Sequence, residues 1–499
     1  MNKLLKKIVF CISIIFLMHI SINAQNEIDA LRFSELDWQG SARFMGAGRA
    51  FGAVGAEFSA LNVNPAAIGL YKKSEITFTP LTISVYKNST GYNGNTSLAQ
   101  AVKGNVGNVG MVFAIPGVSS TLWKKIQIGF GYNRIKNFNN VFNIEGRNDG
   151  STISSDYARA AEGLDYRDIK DVNVWSDEMY YAYEYWLISP KEGSFTSYYP
   201  TMAGVDMFQS STITQKGGID EMIFSLGTNY ADQLFLGTTI GIPVINFTEN
   251  RTYEEINDRE SANYNFLQIR MDDKLTVRSA GINLKLGIIY QPFDFLRVGL
   301  AFHTPTYYGN VKDNFDRQLY FKKWEYVDSL NNKGTYSDNL NYVNTFNYSL
   351  TTPLRATANV AFFIAQRAFI SAEYEFADYG MASMYSVGYS FNEENKTIQK
   401  MYGFSHIARI GVEINLSQVF ALRAGYNYIS SPYKDEINDG AKHYASLGLG
   451  FRTNHFYGDF AYAMTLSKEK YWMYDRAFVN AANNQFLTHR IVFTLGVRF

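Results

Sequence analysis

The sequence predicts an all-β protein, a transmembrane antiparallel β-barrel of about 14 strands with an N-terminal plug, or hatch, in its lumen. Three observations carry that expectation. Apolar and polar residues alternate with period two, run after run, from Ser74 to the last residue. The links between runs are short and long by turns: Ala365, Gln366 and Arg367 make one tight link and Ser417 and Gln418 another, while the intervening ones are far longer. That is the asymmetry of short periplasmic turns and long external loops. Ahead of the alternation stands a Gly/Ala-rich stretch, GAGRAFGAVGAEFSALNVNPAAI (residues 46–68), with little apolar periodicity.

Composition agrees with this class. Among 499 residues, 16% are aromatic, with 36 Tyr and 37 Phe against 10 Pro. Strands favour aromatics, and membrane barrels gather them into interfacial girdles. Charged residues make up 18%, below the usual quarter of soluble domains. Lys plus Arg and Asp plus Glu number 46 each, so no basic excess points to nucleic acid.

Residues 1–24 read as a secretory signal peptide. Lys3, Lys6 and Lys7 form its charged start, an apolar run covers residues 8–20, and cleavage is expected after Ala24. The apolar run is shorter than the roughly 20 residues a spanning helix needs. The only cysteine, Cys11, leaves with the signal, so the mature chain has no disulfide, thiol nucleophile or cysteine metal site. Losing three lysines and no acids moves the net charge from 0 to −3. An exported chain without later apolar helices is a periplasmic β protein or a barrel in the outer membrane of a Gram-negative bacterium. The loop asymmetry and the terminal Phe499 favour the barrel.

The chain divides into a hatch at 25–73 and a barrel at 74–499. In the hatch, Gly46, Gly48, Gly52 and Gly55 permit tight turns and close backbone approach. Asn64 before Pro65 suits a helix start, with Asn as N-cap and Pro at the first helical position. In the barrel, Ile76 and Phe78 alternate before Pro80, and Leu81, Ile83 and Val85 alternate on the other parity after it. A bulge is therefore expected at Pro80, which has no N–H for the ladder. Strands follow at 106–115 and through Ile126, Ile128, Phe130 and Tyr132.

Residues 139–218 break the rhythm and read as a long external loop carrying helices. One covers 155–163, and another presents Val172, Trp175, Met179, Tyr183 and Trp186 on one face. Such a face suits packing under a loop or the wall of a ligand groove. Strands resume at Met222, a second long loop covers 305–346, and the last strand ends Ile491, Phe493, Leu495, Val497, Phe499.

Opposite the apolar faces lie Lys285, Arg297, Arg355, Glu373, Glu375, Arg409, Glu413, Arg423 and Asp459. A Lys or Arg facing lipid near the midplane costs about 2–4 kcal/mol, so these side chains are placed in the lumen. Glu413 and Arg423 fall near diagonal positions of one hairpin. The mixed signs suggest a wall network holding the hatch, with Arg355, Glu373, Glu375, Arg409, Glu413 and Arg423 at its centre; the alternative is an arginine that receives a substrate carboxylate. His303, His406, His443, His455 and His489 are scattered one per strand or turn, as lumen or interface residues rather than ligands. No nucleophile elbow, zinc-protease helix or phosphate loop is present. Neither an enzyme nor a cofactor or metal is expected.

On these residues the chain resembles the FadL-type outer-membrane transporters of long-chain fatty acids and other hydrophobic compounds. Residues 46–68 look like that family's hatch with its Asn-Pro-Ala motif, here Asn64, Pro65 and Ala66. YQPFDFLRVGLAFHTPTYY (290–308) and RIGVEINLSQVFALRAGYNY (409–428) look like hairpins of the same family. The resemblance implies a hatch-gated channel for passive uptake of hydrophobic small molecules, long-chain fatty acids or similar. Asn64, Pro65 and Ala66, with Arg49 and Phe51 of the same stretch, are the candidate ligand-binding and gating residues. The implied partners are a hydrophobic ligand and outer-membrane lipid, for a monomer that binds no nucleic acid. The alternative is a relative serving as an interaction or protein-export component, or as a surface scaffold. The 139–218 insertion departs from the family pattern, whose ligand-collecting loops come later.

Overall fold

The computed structural model describes residues 27–117, 121–169, 176–258, 266–326, 333–365, 367–434 and 438–499. Fourteen antiparallel strands close into one barrel. The first is Glu75–Tyr92, the second Asn95–Asn105 continued by Asn108–Pro116, and the third Trp123–Asn137 continued by Asn140–Asn148. The fourth to sixth are Met207–Tyr230, Leu234–Ile256 and Phe266–Phe293. The seventh joins Leu296–His303 to Tyr307–Tyr326, the eighth Lys333–Thr351 to Arg355–Ile364, and the ninth Ala368–Asp378 to Ser383–Tyr385. Phe404–Asn415, Phe420–Ile429, Lys442–Arg452, Phe456–Tyr471 and Ala482–Arg498 complete the circuit. The last strand pairs with the first from Glu75↔Arg498 upward, and Ser74 and Phe499 exchange both main-chain hydrogen bonds.

Closure of this kind leaves no unpaired strand edge, which hydrocarbon would not tolerate. Along the sixth strand Ile282, Leu284, Leu286, Ile288 and Tyr290 are exposed on the outer face, while Asn283, Lys285 and Ile289 are buried inside. The pairing of the first strand with the last slips between Phe78 and Leu81, the bulge expected at Pro80. Among the described residues no helix is long and apolar enough to cross a membrane.

Two loop assignments are corrected. Within 139–218, residues 140–148 and 207–218 are wall strand, and the insertion proper is 149–206. Within 305–346, the seventh and eighth strands run on through Tyr307–Tyr326 and Lys333–Thr351. These parts of the wall rise above the apolar band. Asn143, Glu145, Thr212, Thr214, Asn314 and Asp316 need no greasy outer face there, so period two vanishes while the ladder continues.

The insertion folds over the barrel mouth. Its helices are Ser154–Ala161 and Asp177–Glu184, followed by a small hairpin of Ile188–Pro190 and Tyr198–Pro200. Val172 and Trp175 lie outside the described residues. Met179 is buried and Tyr183 stacks on Tyr166, but Trp186 is exposed, with φ of 61° just past the helix end. Tyr185 takes the inner place, stacked on Phe321 of the seventh strand at 5.1 Å. Glu178 reaches Arg317 of the same strand at 3.2 Å, and Arg317 also binds Asp273 at 2.7 Å.

Candidate functional site: the contact between the N-terminal segment and the wall

Residues 27–71 lie inside the barrel as a chain of short elements: helices Glu27–Ser34 and Ala42–Gly46, then 3-10 turns Phe58–Asn62 and Pro65–Leu70. Among the described residues, only Asp37 N to Ile135 O and Gln39 N to Arg134 O join this segment to the third strand through the main chain. Side chains make most of its other polar contacts with the wall.

Asn64 caps the second 3-10 turn. Its Oδ1 accepts from Ala66 N at 3.0 Å, as the Asn-Pro pair predicts. Its Nδ2 donates to Asn359 Oδ1 at 3.2 Å and to Ile288 O at 3.4 Å. Pro65 and Ala66 lie directly on the backbone of Gly237 and Gly287, cross-strand partners in the fifth and sixth strands. A Cβ at Gly237 would overlap the Pro65 carbonyl, and one at Gly287 the Asn64 side chain. The neighbouring Gly227 receives Ile68 in the same way.

Ala47 and Gly48 rest likewise on paired Gly411 and Gly425. Arg49 follows with φ of 61°, and its Nη1 reaches Asp37 at 2.9 Å while its guanidinium covers the Tyr444 ring at 4.1 Å. Asp37 is shared with Arg490 of the last strand at 2.7 Å. Phe51 is fully buried, edge-on to Phe369 at 5.5 Å and under the Arg43 guanidinium at 4.9 Å.

The inward charges meet as the parity of the strands requires. Arg43 clasps Glu413 with two hydrogen bonds of 2.9 and 3.0 Å. Arg423 binds the same carboxylate at 2.6 Å and Asp459 at 2.6 Å. Glu413 and Arg423 are direct cross-strand partners, which corrects the near-diagonal placement. Arg409 bridges Glu373 at 3.4 Å and Glu375 at 2.6 Å, Arg355 joins Glu375 at 2.7 Å, and Glu373 accepts from Gly52 N. Arg355 also donates to Ser34 O at 2.6 Å, Arg297 to Val54 O at 2.8 Å, and His303 Nε2 meets Val63 O at 3.0 Å. Lys285 pairs with Glu221 and reaches Asn62.

Neither the protein-family models nor the curated proteins yield a match to this sequence. Solved structures do. A FadL homologue from Pseudomonas aeruginosa aligns with a TM-score of 0.53 at 13% identity, over 93% of this chain and 98% of that one. The Pseudomonas putida toluene transporter TodX aligns with a TM-score of 0.51 at 11% identity, over 93% and 99%. The chain has the FadL-type fold.

Within this FadL-type barrel the sequence reading missed Arg43, Asp37, Glu221, Asn359 and the glycine pairs. Glu221 shows the signal that could have found it, since it sits on the parity opposite Met222 and Phe224. The glycines carry no such signal, because only the path of another segment makes a missing side chain matter. Beside the segment lies a cavity of about 30 Å³ with a mixed lining, Phe33, Trp38 and Ile135 on one hand and Glu221, Lys285 and Arg355 on the other.

Higher in the lumen the titratable groups of the segment fall into opposite states. Burial pushes the Asp29 carboxyl up to about 7, against the pull of Arg32. Burial acts on Glu35 in the same sense, but Lys136 at 2.9 Å and Lys442 at 2.6 Å outweigh it and hold that carboxyl at about 2.

Proposed function

We propose that this protein is an outer-membrane channel for passive uptake of hydrophobic small molecules, long-chain fatty acids or similar, with residues 25–73 as its hatch. The supporting observation is the seating of residues 46–68: they are buried in the lumen, yet polar side chains and glycine backbone hold them rather than sheet pairing. Such contacts exchange partners at modest cost, whereas a continuous ladder does not.

An apolar cargo needs an apolar route. Burying a methylene is worth about 0.8 kcal/mol, so a dozen of them crossing a wet pore would face a barrier of about 10 kcal/mol. At its N-terminal end the hatch itself offers such a surface, where Phe33 of the first helix packs edge-on against Phe138 and Phe247 at 5.8 and 5.9 Å. In this reading cargo takes the place of Phe33 and displaces Glu27–Ser34, and the hatch then shifts to release it. The seated segment is then the closed state of this proposed cycle.

Labelled palmitate, an alkyl aromatic and haem, offered to a deletion strain and its parent, test the reading. Slower uptake of at least one of them in the deletion strain is expected; equal uptake of all three would sink it.

A further inference from the structure

The outer face of strands nine to fourteen carries a motif repeated three times. We propose that it is a binding belt for the phosphate headgroups of an outer-leaflet glycolipid. In each of three successive external hairpins, a tyrosine hydroxyl on the rising strand meets Nδ1 of a histidine on the falling one. The pairs are Tyr374 with His406 at 2.6 Å, Tyr426 with His443 at 2.8 Å, and Tyr462 with His489 at 2.6 Å. All three occupy the same diagonal, because each histidine stands opposite the residue two places beyond its tyrosine: Phe376, Tyr428 and Met464.

The height of the belt is constant. Each tyrosine comes six residues after the first residue of its strand, Ala368, Phe420 or Phe456. Each histidine comes nine residues before the last residue of its strand, Asn415, Arg452 or Arg498. Nine residues rise about 30 Å along a strand and, at a tilt of about 40°, about 23 Å along the barrel axis. The apolar band of such barrels is about 25 Å tall, so the belt stands at its outer rim, level with lipid headgroups. Below it Ile410, Leu447, Leu449, Ile491 and Phe493 face outward and exposed.

The chemistry fits a phosphate. With the tyrosine hydroxyl donating to Nδ1, each imidazole keeps its proton on Nε2 as a donor toward the lipid boundary. Neighbouring histidines are two strands apart, about 10 Å, which suits several phosphates on a large headgroup and is too far for one metal ion. Exposed Lys87 and Lys468 face outward just beyond the belt, opposite Leu487 and Gln485. Asp378 faces the same rim, but its carboxylate accepts from Gly380 N.

The test uses the full chain in detergent and native mass spectrometry with diphosphoryl lipid A, its dephosphorylated form and inorganic phosphate as probes. The wild type should retain the diphosphoryl lipid, and the variant H406F/H443F/H489F should retain it roughly tenfold less. Its folding is checked by heat-modifiable gel mobility. Excess inorganic phosphate should leave the bound lipid in place. Equal retention of the two lipid forms by the wild type would overturn the proposal, as would a folded triple variant that binds as well as the parent. Should that variant not fold, Y374F/Y426F/Y462F replaces it, with the same two outcomes.

Discussion

The two halves of the proposed hatch are held to the same wall by different physics. From Glu35 to Gly52 the contacts include pairs of opposite charge: Glu35 with Lys136 and Lys442, Asp37 with Arg490, and Arg43 with Glu413. From Val54 to Ile68 the wall meets neutral groups, namely Val54 O, Asn62, Val63 O and the Asn64 amide. Both halves rest on paired glycines, so closeness of approach does not distinguish them. What differs is what is left behind when a partner goes. Removing one member of a buried ion pair strands a charge, at about 3–5 kcal/mol. Removing a neutral partner breaks one hydrogen bond, at about 1–3 kcal/mol, and the cations it met keep other partners, Lys285 on Glu221 and Arg297 on Gln291. On the proposed reading the first half is the anchor, and the second is the part that lets go.

Substitution at the anchor should have the largest effect. Glu413→Gln leaves Arg43 and Arg423 without their shared carboxylate, and a loss of about 3–5 kcal/mol in barrel stability is expected from urea unfolding in micelles. A loss below about 1 kcal/mol would mean that the pair is solvated and the contrast is false. Next comes the glycine floor. Gly237→Val drives a side chain into the Pro65 carbonyl, at about 1–3 kcal/mol, and should raise small-solute leakage in liposome swelling assays. Asn64→Ala with Pro65→Ala removes a cap worth about 1 kcal/mol. It should also raise leakage while heat-modifiable mobility stays that of the parent; unchanged permeability would deny this half its gating role.

The smallest effect is on pH. Asp29 carries a raised carboxyl, so its contribution to seating the first helix is fully present below about 4 and is lost as pH rises through about 7. Glu35 works in the other direction, its contribution being present above about 4.5 and lost only as pH falls toward about 2. Of these two carboxyls, Asp29 is the one whose charge changes between pH 5 and 8. Amide exchange across Glu27–Ser34 should therefore quicken as pH is raised through 7, after correction for the intrinsic rate. Asp29→Asn should flatten that profile.

Where lipid dictates side chains, the sequence was readable. Ile282 to Tyr290 on one parity and Lys285 on the other place the wall and its lumen face without any structure, and Pro80 marks its own bulge. Outside the apolar band that pressure ends. The strands through Asn143, Thr212 and Asn314 therefore read as loop, although their ladders are unbroken. At the site the motif Asn64-Pro65 announces a capped turn by its own chemistry. Register is different: whether Glu413 faces Arg423 squarely or across a diagonal depends on the geometry of a tight turn, which two residues of sequence do not specify. Arg43 gains its meaning only from Glu413, and Gly237 only from Pro65, each far away in the chain.

Thr494 gives the seam a further consequence, for assembly. Its hydroxyl, on the last strand, accepts from Ala42 N of the hatch at 2.7 Å and shares a hydrogen bond with Thr79 of the first strand, also at 2.7 Å. One side chain thus registers the first strand, the last strand and the hatch together. Closure of the barrel and seating of residues 27–71 therefore draw on the same hydroxyl, and the polar contacts of Thr494 are complete only when both are in place.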